Sequence, residues 1–373
     1  MRYYIIAGEA SGDLHGANLI NSLLKLDANA EIRFWGGPLM QEASGKAPVK
    51  NYKDLAFMGF VEVVSNLSTI LKNLKFCKED ILRYSPDVIV LIDYPGFNLR
   101  IAQFAKNRGF EVAYYISPQI WAWKESRIHK IKRYVDHMLV ILPFEKEFYA
   151  KHGMDVHFVG HPLLDQLQKI PKVSREDFTK GNHLSTQPIV ALLPGSRAQE
   201  LQKMLSVMVS VAAEFPEYQF VIAAAPGLDQ EIYRPFLNSQ VRLVTNQTYE
   251  LLQHSAAALV ASGTATLETA LLKVPQVVCY RGNSISYLIA KRLVRHIKYI
   301  SLVNLIMDRE IVKELIQEEF TRENLAYELQ KLLDLKYRDE LALQYNILEN
   351  KLGGAGASDQ AAEIIYRATE TII

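Results

Sequence analysis

The strongest constraint on this chain is an alternation that occurs twice. Short apolar runs rich in β-branched residues alternate with longer amphipathic stretches. The runs of the first half are Tyr3–Ala7, Val88–Ile92, Glu111–Ile116 and His137–Leu142. Those of the second are Ile189–Leu193, Gln219–Ala224, Val241–Val244, Ala256–Val260 and Gln276–Tyr280. Runs of this length read as buried strands of a parallel sheet, and the stretches between them as helices covering it. Helical spacing is clearest after Gly195, where Leu201, Met204, Leu205, Met208, Val209 and Ala212 fall on one stripe. Each half opens as strand, glycine loop, helix. The expected class is therefore α/β, with two doubly wound Rossmann-like domains facing a cleft and ligands at the C-terminal ends of the strands.

A chain of 373 residues has room for two such domains. We place the first over 1–170 and the second over 171–354. The polar stretch Pro171–Pro188 reads as a linker or a variable surface segment. Gly353–Ser358 reads as a flexible loop. The helical pattern from Asp359 onward makes 355–373 a candidate to pack back onto the first domain. The net charge of +1 creates no global field for nucleic acid, so anion binding has to be local. Cys77 and Cys279 lack the Cys and His spacings of zinc sites and read as small buried hydrophobes. No metal and no cofactor are expected. No apolar run approaches the ~18 residues of a spanning helix, and Tyr3–Ala7 is too short for a signal-peptide core. The expected location is cytoplasmic, with peripheral membrane contact left open.

Two motifs in the second half suggest a nucleotide-sugar site. Leu192-Leu193-Pro194-Gly195-Ser196-Arg197 reads as strand, turn and helix start. Gly195 and Ser196 offer backbone N–H groups and a helix N-terminus to a phosphate, and Arg197 adds a cationic fork. Ser262-Gly263-Thr264-Ala265-Thr266-Leu267-Glu268 is a small-residue turn ending in a carboxylate. Its backbone allows close approach of a ligand near Thr264, and Glu268 can accept two ribose hydroxyls. Arg281, at the end of a late strand, is a further candidate for this pocket. No Asp-x-Asp pair occurs in the chain, so positive charge on a diphosphate would come from Arg197 and helix N-termini.

The first half holds loops suited to an acceptor. Gly8–Asp13 lacks the Gly-x-Gly-x-x-Gly spacing of dinucleotide folds, which argues against NAD. Glu9, Ser11, Asp13 and His15 are more polar groups than a structural turn needs. Asp93 follows the Val88–Ile92 run, where apolar neighbours would raise its pKa as a general base requires. Alternatively Asp93 is a helix cap or Asx turn, or Asn98 takes that local part. Trp121 and Trp123 are either sugar or lipid platforms or core anchors. Lys124, Arg127, His129, Lys130, Lys132 and Arg133 form either a solvated helix face or a surface for anionic lipid or sugar phosphate. His161 either reaches a diphosphate or is structural. Two apolar stretches remain: Phe57–Val64 with Leu67, Ile70 and Leu71, then Lys72, Lys75 and Lys78; and Ile285, Leu288, Ile289 and Leu293 among basic residues. Each reads as core or as an interfacial helix.

Taken in order, the blocks resemble the lipid-A-disaccharide synthase family, inverting glycosyltransferases of the two-Rossmann-domain (GT-B) type. They are Gly8–Asp13, Gly59-Phe60-Val61-Glu62-Val63, Asp93–Asn98, Ser117–Trp123, Pro143-Phe144-Glu145, Gly160-His161-Pro162, Leu192–Arg197, Ser262–Glu268, and Ser301–Gln317 with Asn304 and Glu314. The resemblance implies transfer from UDP-2,3-diacylglucosamine to 2,3-diacylglucosamine 1-phosphate (lipid X), giving a β-1,6 disaccharide 1-phosphate and UDP. It also implies a peripheral enzyme on the cytoplasmic face of the inner membrane, with a homodimer as a candidate assembly. Some members carry an acidic residue where this chain has Gly96, which leaves Asp93 the stronger base candidate.

The expected mechanism is in-line displacement with Asp93 as base, and Glu9 or His15 as substitutes for it. Gly195, Ser196, Arg197, Ser262, Gly263, Thr264, Glu268 and Arg281 would hold the UDP-sugar. Ser11, Asp13, Asn98 and Trp121 would hold the acceptor. A UDP-sugar 2-epimerase of the same fold and a non-catalytic nucleotide-sugar sensor are the competing readings. Turnover without acceptor, or binding without turnover, would single them out.

Overall fold

The computed structural model describes residues 1–55, 67–196, 198–282 and 297–370. Arg197, the Phe57–Val64 stretch and the apolar stripe Ile285–Leu293 lie outside the described residues. The chain divides into two compact units. One comprises Met1–Asp165 with Leu352–Ile373, the other Gln166–Lys351.

The first unit is built on seven strands: β1 Arg2–Ala7, β2 Glu31–Gly36, β3 Lys50–Asn51, β4 Val88–Ile92, β5 Glu111–Tyr115, β6 His137–Val140 and β7 His157–Phe158. They form one parallel sheet in the order β3-β2-β1-β4-β5-β6-β7. Alternate residues supply two separate cores. Tyr4, Ile6, Ile89 and Leu91 face one, while Tyr3, Ile5, Val88, Val90 and Ile92 face the other. Burial on both faces is why these runs read as continuously apolar. β2 was harder to see because Glu31 and Arg33 interrupt it. The Arg33 guanidinium is compensated by Asp80 at 2.7 Å, and Asp80 also accepts from the Tyr4 hydroxyl at 2.8 Å.

The chain ends in the first unit. Ala361, Ala362 and Ile365 of the helix Ala357–Glu370 join the core beside Ala17, Leu19 and Leu23 of the helix Ala10–Leu26. The returning backbone crosses close to Gly160, which has φ +83° and whose missing Cβ would stand 3.3 Å from the Leu352 carbonyl oxygen. His161 donates its N–H to that same oxygen at 3.1 Å. The Asp165 carboxylate accepts from Gly356 N at 2.5 Å and Ser358 N at 3.1 Å, capping the returning helix.

The second unit holds β8 Ile189–Leu193, β9 Gln219–Ala224, β10 Val241–Thr245, β11 Ser255–Ala261, β12 Gln276–Tyr280 and β13 Lys313–Ile316. All pairs are parallel, in the order β10-β9-β8-β11-β12-β13. Two Rossmann-like domains are thus present. The Pro171–Pro188 stretch is not a simple linker. Ser174 caps a helix, Arg175–Gly181, and Phe178 is buried in the second unit's core with Val173 and Leu184 packed around it. Polar composition concealed one buried aromatic. Cys77 and Cys279 are both free and buried.

Candidate functional site

In an open parallel sheet, ligands collect where the strand order reverses. In the second unit that point lies between β8 and β11. The register pairs Leu193 with Val260 and Ala261 with Cys279, so the turns after β8, β11 and β12 emerge side by side. They enclose a cavity of about 440 Å³ lined by Gly195, Ser196, Ser262, Gly263, Thr264, Glu268 and Arg281, among others. The described second-half candidates therefore converge. Two helices, Ala198–Ser210 and Thr264–Leu271, begin at this cavity. Their unpaired N–H groups and dipoles favour an anion.

The side chains there divide into holders and binders. Ser262 donates its hydroxyl to the Ile300 carbonyl at 3.1 Å. The segment Ile300–Asn304 behind it is fixed by Glu314 of β13, which accepts from Ile300 N, Ser301 N, Ser301 Oγ and Asn304 Nδ2 at 2.7–2.9 Å. Arg281 is spent locally, donating to the carbonyls of Phe320 (2.6 Å) and Gln317 (3.3 Å). Glu268 is half-buried. Desolvation raises its pKa, opposed by a hydrogen bond from the Tyr249 hydroxyl. Tyr249 lay outside the sequence motifs, because the contact joins separate turns. The β9 turn, Ala224-Ala225-Pro226, also lines the cavity; its small residues carry no chemical signal.

In the first unit the order reverses between β1 and β4. Ala7 pairs with Ile92, so Glu9 and Asp93 leave neighbouring strands together. Asp93 and Tyr94 both have left-handed backbone, φ 41° and 47°, a strained conformation for such residues. Three side-chain hydrogen bonds hold it. The Tyr114 hydroxyl and Asn98 Nδ2 donate to the Asp93 carbonyl at 2.5 and 2.8 Å, and Asn98 Nδ2 also reaches the Ile92 carbonyl at 3.1 Å. Gly8 completes the turn, since a Cβ there would stand 2.3 Å from the Tyr94 ring. Burial, joined by the charge of Glu9, pushes the Asp93 carboxyl up to about 6, against a pull from the Tyr94 N–H.

The other first-half candidates fall in different places. Asp13 is buried, and its carboxylate accepts from Gly37 N (2.7 Å), Leu39 N (3.1 Å) and Met40 N (3.1 Å). That is a cap on the helix Pro38–Ser44. Asn98 is likewise fully buried beneath the Asp93 turn. Ser11 is exposed on the first turn of its helix. His15 lies near His161 and Asp165 rather than at Asp93. Burial pushes its imidazole down to about 4, with Asp165 opposing, and His161 down to about 3. Both rings are neutral at neutral pH.

Beside Asp93 lies a cavity of about 200 Å³, with Ser117, Gln119, Trp123, Arg127 and Glu145 in its walls. Trp121 instead packs edge-on against Phe144, ring centroids 4.8 Å apart. Trp123 is the exposed tryptophan, at 53%. Glu145 is buried and accepts from Leu142 N (3.0 Å) and Ile141 N (3.3 Å). Burial pushes its carboxyl up to about 8 in spite of those bonds. Among the described residues no cluster of His, Cys, Asp and Glu is placed to hold a metal ion, and no helix is long and apolar enough to cross a membrane.

Comparison with known proteins gives the family and the fold. The sequence model of the lipid-A-disaccharide synthetase family matches residues 3–365. A lipid-A-disaccharide synthase of Coxiella burnetii is 39% identical over 368 residues, 97% of each chain. Among solved structures, a UDP-GlcNAc 2-epimerase from Neisseria meningitidis bound to UDP-GlcNAc superposes with a TM-score of 0.64 at 14% identity, covering 100% of both chains. The calicheamicin glycosyltransferase CalG4 does so with 0.63 at 14% identity, covering 100% of this chain and 98% of that one. These last two likenesses are of fold alone.

Proposed function

Since the chain belongs to the lipid-A-disaccharide synthetase family of glycosyltransferases, we propose that it condenses UDP-2,3-diacylglucosamine with 2,3-diacylglucosamine 1-phosphate, releasing UDP with inversion. The observation that carries this reading is Asp93. It is a carboxyl raised to about 6, locked in a strained turn at the switch point of the first unit, and open to a sugar-sized cavity. A base with that pKa is ionised at neutral pH yet basic enough to take a hydroxyl proton. The acceptor's 6-hydroxyl attacks the anomeric carbon, Asp93 takes its proton, and the glycosidic bond to the diphosphate breaks. In the second unit, Ser196, Arg197 and the two helix N-termini take up the charge developing on the UDP leaving group. Glu268 accepts the ribose hydroxyls. Backbone donors and Arg197 suffice for this role, so the reaction proceeds without a divalent metal.

Acyl-chain substrates place the enzyme on the cytoplasmic membrane surface. We assign that contact to the Phe57–Leu71 stretch, whose described end includes Leu71, 55% exposed and followed by Lys72 and Lys75. Phe57→Ser with Phe60→Ser should reduce flotation with liposomes; unchanged flotation would reject the assignment.

The test of the reaction is mass spectrometry of the protein incubated with both substrates and EDTA. Disaccharide 1-phosphate and UDP are the expected products. UDP binding without disaccharide, both in EDTA and after Mg²⁺ is added in excess, would refute the transferase; product only with Mg²⁺ would refute metal independence, and turnover of UDP-N-acetylglucosamine alone would establish a 2-epimerase.

A further inference from the structure

The cavity beside Asp93 has a second chemical feature at its rim. Trp123 and Arg127 line it. The Arg127 guanidinium stands 5.7 Å from the Trp123 ring centroid, and the Lys124 ammonium 4.4 Å from the same centroid. Lys124 is held there by a left-handed backbone, φ 58°. Each cation gains from the ring face, but two like charges gathered on one ring repel.

Among the described residues, Asp93 is the carboxylate of this cavity that is charged at neutral pH, and it forms no ion pair with either cation. Glu125, between the two cations in sequence, is turned to His152 Nε2 at 3.0 Å. Among the described residues no carboxylate stands within ion-pair distance of Arg127. Glu145 shares the cavity but is held in its protonated form at neutral pH by burial. The arrangement is a half-buried guanidinium and an ammonium converging on an exposed indole, with an anion's place unfilled by the protein itself.

We propose that Arg127 and Lys124 hold the phosphate of the acceptor sugar, with Trp123 as the platform for its ring, so that the nucleophilic hydroxyl across the ring is delivered to Asp93. The inference rests on the transferase reading and adds the acceptor's anion site to it. A guanidinium fork matches a phosphate bidentately, which makes Arg127 the principal contact and Lys124 a point charge in support. Selectivity for a 1-phosphorylated acceptor over a neutral glycoside then comes from this rim.

The experiment uses the full chain, wild type and Arg127→Gln, Lys124→Gln and Arg127→Lys, with thermal melts to confirm folding. Two acceptors are compared, 2,3-diacylglucosamine 1-phosphate and its methyl glycoside. Affinity is read from tryptophan fluorescence and, separately, from KM in turnover. Arg127→Gln should weaken the phosphorylated acceptor by about 10- to 100-fold, the worth of a charge-assisted contact. The methyl glycoside and the UDP-sugar should be unaffected, and Arg127→Lys should restore part of the loss. Equal weakening of both acceptors, or none, overturns the proposal. So does a loss confined to flotation with phosphatidylglycerol vesicles, which would assign the cations to lipid headgroups. The fluorescence titration decides the point even if the wild type makes no disaccharide, a result that would sink the transferase reading alone.

Discussion

Glu145 offers a prediction whose size follows from its surroundings. It is 1% exposed, accepts two backbone N–H groups, and has its carboxyl pushed by burial from 4.5 to about 8. A folded-state pKa raised above the unfolded value means that the native state binds the proton more tightly. The stabilisation from that proton is complete below about pH 4.5 and is lost as pH rises through about 8. The slope is about 1.4 kcal/mol per pH unit, so between pH 5.5 and 8 the wild type should lose about 3 kcal/mol through this group. Glu145→Gln mimics the protonated acid, keeps an oxygen for the Ile141 and Leu142 N–H groups, and cannot titrate. Its stability relative to wild type should therefore climb by about 3 kcal/mol across that range. Trp35, Trp121 and Trp123, the only tryptophans, all belong to the first unit, so urea unfolding followed by tryptophan fluorescence reads the right body. A constant difference between the two proteins at every pH would show that Glu145 is ionised in the fold and that the argument from desolvation is mistaken.

Three further outcomes are expected. Wild-type turnover should rise through about pH 6 as Asp93 ionises; Asp93→Asn should lose that limb and about 10²–10⁴-fold in kcat, and near-normal rates would exclude it as the base. Glu268→Ala should weaken UDP by about 10- to 100-fold, through the loss of hydrogen bonds to a charged acceptor, with calorimetry as the check. Asp13→Ala strands three N–H groups, that of Gly37 at the N-cap and those of Leu39 and Met40 in the helix Pro38–Ser44, and should cost about 2–4 kcal/mol of first-unit stability; a cost below about 1 kcal/mol, with acceptor binding lost instead, would restore Asp13 to the binding site.

Periodicity carried most of the fold because both sheets are parallel and buried on both faces, so their central strands stand out as apolar runs. The strands it missed lie at or near sheet edges, such as β3, β7 and β13, or carry charges neutralised at a distance, as Arg33 of β2 is by Asp80. The second-unit cavity, the proposed nucleotide site, was legible for a related reason. Turns that approach a phosphate must be built of Gly, Ser and Thr, and those residues punctuate a sequence wherever they cluster. Arg281 illustrates the limit. Its place at a strand end is plain from the sequence, but its attachment to the Gln317 and Phe320 carbonyls depends on β13, an edge strand with no apolar run to mark it.

The first-unit loops, proposed to hold the acceptor, were less legible because polar residues in one loop face different ways. Glu9, Ser11, Asp13 and His15 looked like a single cluster. A helix that starts at Ala10 separates them by 100° per residue, turning Asp13 to the helix Pro38–Ser44 and His15 toward Asp165 and His161. Glu9 alone, just before the helix, stays at the strand end. There the pairing of Ala7 with Ile92 sets it beside Asp93. This proximity is a consequence of strand order: β1 and β4 are neighbours only because the sheet reverses between them. The raised pKa of the Asp93 carboxyl depends on burial and on a carboxylate 84 positions away in sequence, and the topology, rather than either motif, supplies the second of these.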